Sequence, residues 1–174
     1  MEYRILLRSE IELLRQINRG ESVEQIYYIR DDQLVLEEEH WDVPDWPPDE
    51  KTNRIRKLQE QFDEGAVFYG AFAGQELAGM GFLTDQPISS GDARLNLKGL
   101  WVSRPYRKQG VGRMLVRLME QEAREKSAKA VYISSTPSKN TVQFYFSLGY
   151  ELTKEVDPNL FAEEPEDIHL ERKL

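Results

Sequence analysis

The chain has 174 residues, and its 31 acidic side chains outnumber the 23 Lys and Arg for a net charge of −8. One domain spanning 1–174 suits this length, and a 40% hydrophobic content excludes a fully disordered chain. The acidity argues against a nucleic-acid partner, and the absence of cysteine removes disulfides, thiolate metal sites and cysteine nucleophiles.

The only histidines are His40 and His169, so no metal is expected. The N-terminus lacks the basic start and apolar run of a signal peptide. No stretch reaches the roughly 18 apolar residues of a membrane helix, so no membrane partner and a cytoplasmic location are expected.

Tyr3–Leu7 reads as a first strand. Ser9 is placed as an N-cap with Glu12 in capping-box position, opening a helix whose Ile11, Leu14 and Ile17 stripe ends near Gly20. Gln25–Arg30 and Gln33–Glu37, around Asp31-Asp32, predict a hairpin. Glu37–Glu50 holds seven acids, two tryptophans and Pro44, Pro47 and Pro48, and is predicted to be a long loop. Pro48 is suited to the first position of a helix carrying Ile55, Leu58 and Phe62. Two strands, Ala66–Ala73 and Glu76–Thr84, flank Gly74-Gln75, and Arg94–Val102 follows a Pro/Ser/Gly-rich loop. A helix over Gly110–Lys126, a strand over Lys129–Ser135 and a short helix over Asn140–Leu148 come next. Strands over Tyr150–Val156 and Ile168–Leu174 close the chain. Hairpins followed by a β-α-β crossover predict one mixed, open sheet covered by helices.

The stretch from Leu100 to Gly112 carries the chemistry. A strand enters a turn with two glycines, and the turn opens a helix. Glycines let backbone N–H groups point together at a ligand, and the helix dipole adds positive potential, so the place suits phosphate. Arg107, Lys108 and Arg113 strengthen the local positive field. A P-loop would need a Gly-Lys-Ser/Thr ending, and a dinucleotide fingerprint would need a glycine where Leu115 stands.

Leu100-Trp101-Val102, then Pro105, then Arg107-x-x-Gly110-x-Gly112 resembles the acetyl-CoA signature of the GCN5-related N-acetyltransferase (GNAT) superfamily. Asn140 through Phe144-Tyr145 to Gly149-Tyr150 is similar to the family's second block, although Asn140 stands five residues before Tyr145 and Ser138 holds the more usual earlier position. The resemblance implies an α/β (α+β) GNAT fold: a single, mostly antiparallel sheet of about six or seven strands, helices on both faces, and a splayed fourth and fifth strand. It divides the chain into a variable acceptor side (1–65), an acetyl-CoA core (66–156) and a C-terminal loop and strand (157–174).

The resemblance further implies that the backbone of Leu100, Trp101 and Val102 pairs with the pantetheine arm of acetyl-CoA. It implies that Arg107, Lys108, Gln109, Gly110, Val111, Gly112 and Arg113 cradle the pyrophosphate, and that Asn140 also touches the cofactor. Tyr145 is placed near the sulfur as general acid; its alternative reading is a buried core aromatic. In this family acyl-CoA occupies one side of the splayed strands and the acceptor arrives from the other.

The activity implied is acetyl transfer to an amine, which needs the neutral amine and therefore a base. Candidates are Glu37, Glu38, Glu39, His40 and Asp85, with Trp41 and Trp46 as cation–π walls; the bland alternative is a solvated acidic surface. A small cationic amine is the expected acceptor, and the chain is expected to act as a monomer or homodimer. The competing readings are acetylation of a protein N-terminus or lysine, and a CoA-binding regulatory module without turnover.

Overall fold

The computed structural model describes residues 1–88 and 93–174. Part of the Pro/Ser/Gly-rich loop predicted before Arg94 lies outside the described residues. The chain opens with strand β1 (Glu2–Ile5) and a 3₁₀ segment (Arg8–Gln16). The predicted Ser9 cap does not form. Instead Glu10 accepts the backbone N–H of Leu7 at 2.9 Å while Arg4 grips the same carboxylate, so this segment begins at Arg8. Ile11, Leu14 and Ile17 are fully buried, as their spacing predicts.

β2 (Glu21–Arg30) and β3 (Gln33–Val43) form a two-stranded antiparallel ribbon outside the main sheet. Asp31 and Asp32 both have positive φ, the backbone of a tight two-residue hairpin turn. The ribbon corrects the predicted acidic loop: Glu37, Glu38, Asp42 and Trp41 lie on β3, paired with Ile26, Gln25, Ser22 and Val23. Acidic residues disfavour strands, but cross-strand pairing overrides that preference until Pro44, which has no N–H to donate. Pro48 starts α1 (Pro48–Asp63) as predicted.

β4 (Val67–Ala73) and β5 (Glu76–Pro87) follow, joined at Gly74, then β6 (Arg94–Val102), α2 (Val111–Glu125) and β7 (Ala130–Ser135). α3 (Lys139–Phe146), β8 (Glu151–Leu152), α4 (Pro158–Glu163) and β9 (Ile168–Lys173) complete the chain. The predicted strand over Tyr150–Val156 shrinks to two residues. Asp157 ends the run by capping α4, a helix the apolar pattern did not announce, through bonds from the N–H groups of Asn159 and Leu160.

The main sheet has seven strands in the order β1-β4-β5-β6-β7-β9-β8, antiparallel except for β6 and β7. One core lies between the sheet and α2 and α3, where Val111, Leu115, Val116, Met119 and Ala123 of α2 are buried at helical spacing. The other lies between the sheet and the 3₁₀ segment with α1, around Ile11, Ile55, Phe68 and Phe82. Truncating a residue such as Leu115, which has no exposed surface, costs about 2–5 kcal/mol.

Candidate functional site

β6 and β7 pair through only Arg94–Asn96 and Ala130–Tyr132. Beyond that fork β6 continues along β5 to Val102, and β7 continues along β9 to Ser135. The two strands therefore part, as predicted, and leave a gap in the sheet. β6 carries an extra residue, Lys98, between its pairings with Leu83 and Phe82; such a bulge bends a strand away from its neighbour.

Alternation decides which backbone groups face the gap. The Ser103 N–H donates to Ala78 O on β5, so the neighbouring Val102 points the other way, and Arg107 Nε meets Val102 O there at 2.9 Å. By the same period Leu100 presents its N–H and C=O to the gap, while Trp101 is turned toward Met80 of β5. Trp101 instead offers its ring, which meets Trp46 edge-on at 5.7 Å on the α1 face.

The gap ends at the start of α2. The first N–H bonded within that helix is that of Met114, to Gly110 O at 3.0 Å. The N–H groups of Gly110, Val111, Gly112 and Arg113 have no protein acceptor among the described residues, as expected at a helix N-terminus. Gly110 has φ +84°, and a Cβ there would meet nothing within 4 Å, so this backbone faces open space. At Gly112 a Cβ would lie 3.3 Å from Phe144 Cζ and 3.6 Å from Val102 Cγ2. Glycine thus lets α2, α3 and the end of β6 converge. Arg113 completes the contact by donating to Ser147 Oγ at 3.1 Å.

The Arg107 side chain serves the fold. Its guanidinium donates to Val102 O, Gly20 O and Arg19 O at 2.9, 3.1 and 2.7 Å, tying the turn to the loop before β2. Lys108 is exposed at φ +59°, and Gln109 is exposed with its amide on Pro105 O.

Tyr145 lies on α3 with its ring buried against Phe144 and Tyr150 at 5.0 and 5.5 Å, and burial pushes its phenol above the usual range. Its hydroxyl has no hydrogen bond among the described residues. The hydroxyl of Ser138 caps α3 through Thr141, whereas Asn140 is exposed with its amide unbonded among the described residues.

β2 runs across this mouth. Glu21 stands 3.7 Å from Arg107 at the end of β6, and Tyr27 N–H donates to Pro137 O at the end of β7. The proposed acceptor residues lie on the outer strand β3 and are not brought to the gap. Glu37 pairs with Arg30, Glu39 accepts from Tyr28, His40 bonds Glu24, and Trp41 is exposed. Asp85 is held by Lys126 at 2.6 Å. The face carrying α2 and α3 is filled by core. The α1 face holds a cavity of about 290 Å³ beside the fork, lined by Asn96 and Lys98 of β6, Asp85, Asp157 and Leu160.

A splayed strand pair closed by a glycine-opened helix fits a phosphate-bearing thioester, and similarity agrees. The profile of the acetyltransferase (GNAT) family matches residues 27–150, most of the chain. The chain belongs to the GNAT family.

This GNAT chain is 32% identical over 100 residues to rat (Rattus norvegicus) N-acetyltransferase 8B, covering 56% of the chain and 45% of that relative. It is 33% identical over 95 residues to rat N-acetyltransferase 8, covering 53% and 43%. The chain thus spans less than half the length of the curated relatives it matches. Its fold resembles nourseothricin acetyltransferase (TM-score 0.71, 20% identity, covering 99% of this chain and 97% of that one). It also resembles the PaiA N-acetyltransferase of Thermoplasma acidophilum in complex with coenzyme A (TM-score 0.63, 17% identity, both chains covered in full). Among the described residues no helix is long and apolar enough to cross a membrane, and no group of three His, Cys, Asp or Glu is arranged to hold a metal ion.

Two contributions to the site had no sequence signal. The Arg19 and Gly20 carbonyls that receive Arg107 are backbone groups, invisible in residue type. The course of β2 across the mouth follows from tertiary packing alone.

Proposed function

We propose that the chain is an acetyl-CoA-dependent N-acetyltransferase acting on the primary amine of a small cationic molecule, by direct attack in a ternary complex. The observation that carries this is the gap between β6 and β7 ending at the unbonded N–H groups of Gly110, Val111, Gly112 and Arg113. These donors, with the exposed Lys108, suit the pyrophosphate. The gap-facing backbone of Leu100 suits the pantetheine arm, and its N–H can stabilise the oxyanion that develops on the thioester. Asn140 is exposed and free to contact the same arm.

Tyr145 serves as general acid. Its phenol stays protonated at neutral pH because burial opposes ionisation, and it gives that proton to the leaving sulfur. The acidic ribbon supports the cationic acceptor: Glu24, Glu37, Glu38, Glu39 and Asp42 outnumber its single arginine, Arg30, so the strap beside the mouth is strongly negative. Among the structural relatives, one is an aminoglycoside 6'-acetyltransferase, of 20% identity and TM-score 0.66.

The test is release of free thiol from acetyl-CoA with spermidine, kanamycin and a lysine-bearing peptide in turn. Turnover with either small polycation above the peptide supports the reading. Turnover of the peptide alone favours a protein acetyltransferase, and tight CoA binding with no turnover favours a regulatory module.

A further inference from the structure

The proton on the acceptor amine still lacks a destination, because Glu37, Glu38, Glu39 and His40 stand on the outer strand and Asp85 is paired with Lys126. The face opposite α2 and α3 contains another carboxylate. Ile168 and Leu170 of β9 point into the α2-side core, so Asp167 and His169 alternate to the α1 face. Ser134 stands on the part of β7 that has left β6, and its Oγ donates to Asp167 Oδ2 at 2.9 Å. The Asp167 carboxylate is thereby held over the β7 bank of the gap. It is on the opposite face from Tyr145, on the side where the sheet is not covered by α2 and α3.

We propose that Asp167 is the general base of the acetyl transfer and that Ser134 is its positioning residue. This rests on the acetyltransferase reading above.

Three observations support the assignment. Asp167 is half-buried and has no cation within ion-pair distance among the described residues. A carboxylate already neutralised by Lys or Arg is a weaker base, so this separates it from Asp85 and Glu37. The groups around it are Ser134 of β7, Glu164 after α4, and His169 along β9. Glu166, next in the chain, is felt by Tyr28 of the ribbon. Burial raises the Asp167 carboxyl above its ordinary range, the Ser134 bond opposes that, and Glu164 adds to it. β2 of the ribbon also packs against β9, the strand that follows Asp167, so a cation drawn to the ribbon is delivered near it.

The step balances without a further reactant. Asp167 takes one proton from the ammonium group, the freed nitrogen bonds to the thioester carbonyl carbon, and the nitrogen sheds its second proton to water as the amide forms. The carbon–sulfur bond breaks, and the sulfur takes the Tyr145 proton. The products are an amide and a free thiol; Asp167 then gives its proton to water, and Tyr145 recovers one.

The experiment compares wild type, Asp167→Asn, Asp167→Glu and Ser134→Ala between pH 4 and 10, using whichever of spermidine, kanamycin or the peptide wild type turns over fastest. In Asp167→Asn the rate at pH 7 is expected to fall about a hundredfold or more, with acetyl-CoA affinity unchanged. Without the base only free amine reacts, so that rate should climb about tenfold per pH unit toward the amine pKa near 10.4, while wild type levels off. Asp167→Glu should recover part of the rate. Ser134→Ala removes a bond that favours the charged carboxylate, so it should move the acid limb, and the carboxyl titration of Asp167 read by NMR in the free protein, to higher pH.

A folded Asp167→Asn enzyme at full rate, or one whose deficit is the same at every pH, overturns the assignment alone. If Asp167→Asn does not fold, an unmoved acid limb and NMR titration in Ser134→Ala overturn it instead. A wild type that turns over none of the three amines overturns the acetyltransferase reading and this one with it.

Discussion

Gly110 offers a clean electrostatic test of the phosphate loop. Its φ of +84° means any side chain there incurs backbone strain, yet a Cβ meets no atom within 4 Å. Asn and Asp tolerate this left-handed region better than other residues, so Gly110→Asn and Gly110→Asp should each lose about 1 kcal/mol. For a chain of this size that lowers Tm by roughly 2–4 °C, equally in both. The two side chains match in shape, so what remains between them is one negative charge. A carboxylate about 4 Å from a phosphate meets repulsion of about 1 kcal/mol in water and about 4 kcal/mol at the effective dielectric of a protein surface. The Kd for acetyl-CoA should therefore be roughly 5- to 1000-fold weaker in Gly110→Asp than in Gly110→Asn. Titration calorimetry gives both values directly. Thermal stabilisation gives a second reading: ligand at a hundred times Kd adds about 2.7 kcal/mol to wild type, and at the same concentration the gain in Gly110→Asp should fall to between about 1.8 kcal/mol and near zero. The ratio should shrink as salt rises, since the Debye length is about 10 Å at 0.1 M. Equal Kd values in the two folded variants refute a phosphate at this helix start.

Tyr145→Phe should lower kcat about a hundredfold and leave the acetyl-CoA Kd nearly unchanged, because only a hydroxyl is lost from a ring packed on Phe144 and Tyr150; a full-rate variant would move the acid role elsewhere. Arg107→Ala removes three bonds to backbone carbonyls, each worth about 1.5–3 kcal/mol when made by a charged group. Allowing for partial exposure, a loss of about 3 kcal/mol and roughly 6–12 °C in Tm is expected by calorimetry without ligand; an unchanged Tm would show that the clamp is not structural. Replacing Glu37, Glu38 and Glu39 together by Gln should raise the acceptor KM and flatten its salt dependence while the acetyl-CoA KM stays put, measured by thiol release from 50 to 500 mM salt; wild-type behaviour would make the ribbon a solvated surface only.

The legible parts of this fold were those written by side-chain period and glycine placement. The α2 stripe, the Gly74 turn, the crossover and the β6 bounds all followed from pattern, and the open helix start was legible because Gly110 and Gly112 sit at its two special points. The hairpin around Asp31-Asp32 was legible, but its continuation to Val43 was not, because Glu37, Glu38 and Glu39 form an acidic run with no alternation to mark a strand. What holds them extended is the partner strand, whose Ile26 and Val23 are buried. The hold of Arg107 on the carbonyls of Arg19 and Gly20 was illegible for a related reason: they are backbone groups far away in sequence. Asp167 carried no signal at all, since a lone acid before a strand is ordinary and only the departure of β7 from β6 gives it a place beside the gap.

The Arg107 clamp also explains how a chain of net charge −8 can present a positive mouth to one ligand and a negative one to another. Its guanidinium holds the turn before α2 against the residues that launch β2, so the cationic and anionic walls meet at one fixed joint. On the α2 side lie free N–H groups, Lys108 and Arg113. On the β2 side lie Glu21, Glu24 and the carboxylates of β3. At the joint itself Glu21 stands 3.7 Å from Arg107, well inside a Debye length of about 8–10 Å, so the two fields meet there without being screened. On the proposed reading, an anionic ligand is drawn to one end and a cationic amine to the other. Loosening the joint should weaken both affinities together, whereas a lost phosphate contact would weaken only the first. Parallel losses of acetyl-CoA and acceptor affinity in Arg107→Ala, absent from Gly110→Asp, are what a shared joint requires. A loss confined to acetyl-CoA would return Arg107 to the phosphate.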